Sequence, residues 1–156
     1  VATTISQLED QLLLRLNDLT VSVGGGYVRT LRAYGGDFQQ ARAELVLILP
    51  CILIQYGGAI YKRQGGGGYE VLARWHIVVA DNSHRGEQAR RRGTSTDSQN
   101  PGTYQMLEDL KARLDGEILL AGTRPLELAD EELVRTEPNL SLYRQIWHVG
   151  YFQVIG

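Results

Sequence analysis

The chain has 156 residues, 43% hydrophobic and 22% charged, a balance that suits one globular domain with a sizeable core and excludes a disordered chain. Its formal net charge is -2, which excludes nucleic-acid binding by the charge of the whole molecule and leaves only a local role of that kind. The single cysteine, Cys51, excludes an internal disulfide; in its apolar run it reads as a small buried hydrophobe, which fits a reducing compartment. The longest apolar stretch, Leu45 to Ile54, contains Pro50 and is too short to span a membrane, and no signal-peptide pattern opens the chain. The expectation is a soluble cytoplasmic protein with no membrane partner.

Residues 4 to 19 predict an amphipathic helix, with Ile5, Leu8, Leu12, Leu16 and Leu19 on one stripe and Glu9, Asp10, Arg15 and Asp18 outward. Thr4 followed by Gln7 has the capping-box spacing. Gly24 to Gly26 reads as a turn. Tyr27 to Tyr34 alternates as a strand, ended by Gly35 and Gly36, and Asp37 to Glu44 predicts a short helical turn capped by Asp37. Leu45 to Tyr56 is nearly all apolar. Pro50 cannot donate to a sheet ladder, so the central strand is expected at Cys51 to Gln55, with Val46 to Leu49 as its buried approach.

Gly57, Gly58 and the run Gly65 to Gly68 predict a glycine-rich hairpin over 57–68, an extension of the domain. The four-glycine run is followed by a strand pattern, without a helix start or a Lys-Ser/Thr pair, so the phosphate-cradling loop fails. Then comes the chain's most informative stretch. Val71, Ala73, Trp75, Ile77 and Val79 alternate with Leu72, Arg74, His76, Val78 and Ala80, which predicts a buried strand. It breaks at Asp81-Asn82-Ser83 into a basic loop, 81–102, that carries Arg85, Arg90, Arg91 and Arg92 and ends in a polar tail.

A second helix is expected from Thr103 as N-cap. Its stripe is Tyr104, Leu107, Leu110 and Leu114 with Met106 beside it, Asp109 and Arg113 stand at i,i+4, and Gly116 is the stop. Ile118 to Ala121 is an apolar connection, and Pro125 to Leu128 an edge strand or extended loop. Ala129 to Glu137 is acidic, with Asp130, Glu131 and Glu132 together. Leu140 to Ile155 predicts a long strand. Leu142, Ile146, Phe152 and Val154 alternate there with Tyr143, Gln145, Trp147, Tyr151 and Gln153, and Gly150 marks a bend or bulge. The order predicts one α+β domain over 1–156: a mixed, mostly antiparallel sheet with helices on one face.

Chemistry is sparse. His76, His84 and His148 have no cysteine or carboxylate at metal-ligand spacing, and no nucleophile motif, HExxH or CxxC occurs. The expectation is neither an enzyme nor a protein with a cofactor or metal. The arginine run has three readings: a solvated surface, a contact with nucleic-acid phosphate, or a contact with an acidic patch. The chain carries such a patch itself at Asp130, Glu131 and Glu132. Both blocks on one chain suit a head-to-tail contact between copies, the kind that closes into rings.

The sequence resembles the small tail proteins of Mu-like phages and prophages, a family linked to the tail terminator. The matching features are LEDQLLLRL in the first helix, PCILIQYGG, and above all WHIVVADNSHRGEQARRRG. GTYQMLEDLKARLDG and LYRQIWHVGYFQV also fit, so the resemblance runs from Ile5 to Val154. It implies a structural virion protein, assembled in the host cytoplasm as a homo-oligomeric, hexameric ring. Such a ring sits on the last ring of the tail tube protein, stops tube growth and faces the head-tail connector protein, while genomic DNA passes through its lumen. The arginines 85 and 90 to 92 and the acidic residues 130 to 132 would then meet a neighbouring subunit or the lumen. The alternatives are another neck or connector subunit, and a small nucleic-acid-binding module that uses the arginine-rich loop.

Overall fold

Thr4 starts the first element as expected. In the computed structural model, which describes residues 3–34, 49–81, 102–137 and 140–154, its hydroxyl accepts from the Gln7 amide while the Gln7 side chain accepts from the Thr4 amide. This reciprocal cap satisfies two of the amides that a helix start leaves open. Helix α1 (Ile5–Leu16) buries Leu8, Leu12 and Leu16 completely and runs into a 3-10 turn, Asn17–Leu19, and a short helix α2 (Val21–Gly24).

The sheet has five strands in the order β1-β2-β3-β5-β4. They are β1 (Thr30–Ala33), β2 (Cys51–Gln64), β3 (Gly68–Asp81), β4 (Glu127–Glu137) and β5 (Leu140–Val154). Only β1 with β2 is parallel; the other pairs are antiparallel. Strand β3 lies in the middle with the two faces the alternation predicts. Its register sets Trp75 opposite Trp147 on β5 and Tyr56 on β2, and Ile77 opposite Ile54. These side chains, with Val71, Ala73, Val79, Val149 and Tyr151, meet α1 and the later helix α3 (Gly102–Leu114) in one core. The described elements therefore form two layers, with α1 and α3 on one face of a mixed sheet.

Several expectations change at their edges. Strand β1 is shorter than Tyr27 to Tyr34. Tyr27 and Val28 are buried and belong to a turn in which Val28 donates to Leu19 and accepts from Val21. Strand β2 does not stop at Gln55. It continues through Gly57 and Gly58, which form a bulge between Tyr56 and Ala59, and the turn itself is only residues 65–67. The hairpin therefore lies within the sheet, with β3 paired to β5 as far as Gly68 and Val154.

Thr103 lies inside α3 and is buried, its hydroxyl 3.3 Å from that of Ser141. Tyr104 is exposed, and the buried stripe is Met106, Leu107, Leu110 and Leu114. Arg113 reaches Asp18 at 3.2 Å, and Asp109 accepts from the Tyr27 hydroxyl, so the expected i,i+4 pair is replaced by two long-range contacts. Gly116 ends the helix at φ +75°, as expected. Gly150 makes no bulge against β3; a Cβ there would come within 3.1 Å of the Arg124 side chain, which crosses it. The helical turn expected at Asp37 to Glu44, most of the approach at Val46 to Leu49 and the arginine-bearing loop fall outside the described residues.

Candidate assembly surfaces

The acidic segment is edge strand β4. Its register against β5 puts Glu131 opposite Gln145, on the helix side, and Asp130 and Glu132 opposite Ile146 and Arg144, on the far face. The expected acidic block is thus split between two faces by the period of a strand. Two of its members are committed within the chain. Glu132 takes a charge-assisted hydrogen bond from Arg144 Nε at 2.7 Å. Glu131 accepts from Gln145 Nε2 at 2.8 Å and stands 3.3 Å from Lys111. Asp130 is exposed, and its carboxylate accepts from the Glu131 amide at 2.8 Å, with no cationic partner among the described residues. Both ion pairs are about one-third exposed, which leaves each worth about 0–1 kcal/mol. Arg85, Arg90, Arg91 and Arg92 lie outside the described residues.

Behind Glu131 sits a group that the sequence does not advertise. Gln145 is fully buried. Its Nε2 donates to the Leu107 carbonyl at 3.1 Å as well as to Glu131, and its Oε1 accepts from Trp147 Nε1 at 3.0 Å. One amide side chain ties helix α3, strand β4 and the central tryptophan pair together with its polar atoms satisfied. Position 145 falls on the same period-2 face as Trp147, and that signal alone could have flagged it. Nearby, Glu108, Lys111, Ala112, Asp115, Leu128 and Trp147 line an open groove of about 460 Å³ between α3 and β4.

The far face of the sheet carries the two strand histidines. His148 stands opposite Arg74, and His76 opposite Ile146 and Gln55, so neighbouring strands bring them to one face. His76 lies against the β2 bulge: a Cβ on Gly57 would be 2.7 Å from its Nε2. Burial first, and then Arg144 and Arg74, hold its imidazole below the ordinary pKa of 6.5. Among the described residues no group of His, Cys, Asp and Glu could hold a metal ion. Cys51 is buried, and burial, reinforced by Asp81, pushes its thiol up to about 12. None of the described helices is long and apolar enough to cross a membrane.

Toward the hairpin end the same face changes character. Ile60, Leu72, Phe152 and Val154 are exposed there. The Phe152 ring covers Gly68, where a Cβ would collide with it. On the opposite side of the molecule Leu14, Val21 and Val23 are also exposed. The far face thus buries Cys51, Ala80 and Leu142 at one end and exposes apolar side chains at the hairpin end, which suits that end to contact with other proteins.

A family model described as Bacteriophage Mu, Gp37 matches residues 4–152. No curated protein matches the chain.

Proposed function

The chain belongs to the bacteriophage Mu Gp37 family, and on that premise we propose that this structural phage protein is a tail terminator, a ring that caps the tail tube and joins it to the head-side connector. The observation that carries the reading is the family match, which spans nearly the whole chain and so covers the helix layer, the sheet and the arginine-bearing loop alike. The fold supports it by offering lateral surfaces: the acidic edge strand β4 on one rim and the exposed hairpin end of the sheet.

In this role the protein acts by contact, not by catalysis. Copies associate head to tail into a hexameric ring. Arg85, Arg90, Arg91 and Arg92 of one subunit reach a neighbour or the lumen, where the passing genomic DNA presents phosphate. Asp130 is the acidic residue best placed to receive a neighbour's arginine, because Glu131 and Glu132 already have partners. One axial face of the ring meets the tail tube protein and the other the connector protein.

The test is particle assembly without this chain. Tubes of uncontrolled length that fail to join heads support the reading. Tails of normal length joined to heads overturn it.

A further inference from the structure

We propose that the two edges of the sheet join between copies of this chain: strand β4 of one copy pairs, antiparallel, with strand β1 of the next. The proposal rests on the ring reading above and names its lateral contact.

The sheet ends at β1 and at β4, and neither has a second neighbouring strand among the described residues. An edge strand presents unpaired backbone N–H and C=O groups, which another chain can pair. The two edges differ in charge. From Tyr27 to Tyr34 the β1 edge carries Arg29 and Arg32, both exposed, and no acidic residue. From Glu127 to Val134 the β4 edge carries Glu127, Asp130, Glu131 and Glu132, and no basic residue. Among the described residues neither arginine has an ion-pair partner, and neither do Glu127 and Asp130.

Strand direction and register agree with the charges. β1 runs parallel to β2 and every other pairing is antiparallel, so β1 and β4 run in opposite directions. Copies that share one orientation, as in a ring, therefore bring β4 against the next β1 in the antiparallel sense. The rows of the sheet also match at its two ends. Arg32 stands in line with Leu53, Val78, Arg144 and Glu132, and Leu31 with Ile52, Val79, Tyr143 and Leu133. Carried across the joint, these rows set Arg32 against Glu132, with Asp130 next along the same face, and Leu31 against Leu133. Arg144 holds Glu132 through Oε1, and Oε2 has no bond among the described residues, so a second guanidinium has an acceptor. Leu133, 51% exposed, gains a cross-strand apolar neighbour. β4 is regular from Asp130 to Leu133, between its two irregularities, and that is the segment in line with β1. Since the two edges are different surfaces, joining them is a heterologous contact, which repeats from copy to copy and closes when the rotation permits. A two-fold pairing of β4 with itself would set carboxylates against carboxylates, and one of β1 would set arginines against arginines, which like charges oppose.

The test uses the full chain. Arg32→Glu and Asp130→Arg each reverse an exposed charge, so circular dichroism and melting temperature are expected to stay unchanged, while sedimentation shifts from the ring to the monomer. A mixture of Arg32→Cys and Glu132→Cys copies, treated with a short bis-maleimide, is expected to cross-link, with neither variant linking alone, because native Cys51 is buried. Amide hydrogen exchange in β4 is expected to be slower in the wild-type ring than in the Arg32→Glu monomer, which separates strand pairing from a contact of side chains alone. Rings that persist in both charge variants overturn the proposal. So does cross-linking of either cysteine variant with itself, which reports a two-fold contact, and so does β4 exchange that is equal in ring and monomer. A wild-type chain that stays monomeric also overturns it. Rings joined in this way while tails remain uncapped would leave the edge contact standing and remove the terminator reading instead.

Discussion

Gly26 shows how much one missing atom decides. A Cβ there would lie 2.1 Å from the Leu19 carbonyl oxygen, a backbone atom that Val28 holds in place. Gly26→Ala is therefore expected to destabilise by about 1–3 kcal/mol in urea unfolding. Gly65→Ala, in open space at the hairpin turn, should change little. Equal effects at the two sites would contradict this account of the α2 turn. At Cys51, the raised thiol predicts no labelling by a disulfide reagent near pH ~8 until the chain unfolds. Rapid native labelling would show that the strand opens. His76 gives a pH signature. Its folded pKa lies below its unfolded one, so the unfolded chain binds the extra proton as pH falls through about 6.5. Stability is expected to decline from there until the folded pKa is passed, and to be flat above. His76→Gln should remove that acid-side decline, and an unaltered profile in the variant would place its origin elsewhere.

Among the elements, α3 and β4 depend on Gln145. Gln145→Leu would strand the Trp147 Nε1 donor, at a cost of about 1–3 kcal/mol for a buried group left unpaired, while the Leu107 carbonyl keeps its bond within the helix. Urea midpoints read this directly, and a neutral result would mean that the network contributes no stability. What the sequence revealed of these elements follows from their regularity. Helix α1 was legible because its cap and its leucine stripe are local, and β3 because nothing interrupts its alternation. Strand β4 was not legible as one strand. Irregularities between Leu128 and Asp130 and between Leu133 and Arg135 shift its period, and its acidic residues resemble a solvated loop. The continuation of β2 was hidden for the same reason, since glycines 57 and 58 read as a break and serve as a bulge. Charged residues and irregular register are also what keep an open edge from pairing at random. The acidic block looked like one patch because sequence proximity ignores the strand's two faces. The partners of Glu131 and Glu132 lie on other elements, where no local pattern could show them.

For the molecule as a whole, the described residues form an α+β body whose sheet exposes apolar side chains at its hairpin end. Its formal charge of -2 is small, so the proposed contacts between copies would turn on local complementarity. Reversing Arg90, Arg91 and Arg92 to glutamate is expected to weaken ring formation, with the wild-type ring itself loosening as salt rises. An unchanged oligomer in low salt would remove the arginines from the interface. The most direct test is an electron cryo-microscopy map of the neck of the assembled particle. One ring of this chain is expected between the last tube ring and the connector. A neck in which that position is filled by another protein, or in which this chain appears away from the tube end, would contradict it.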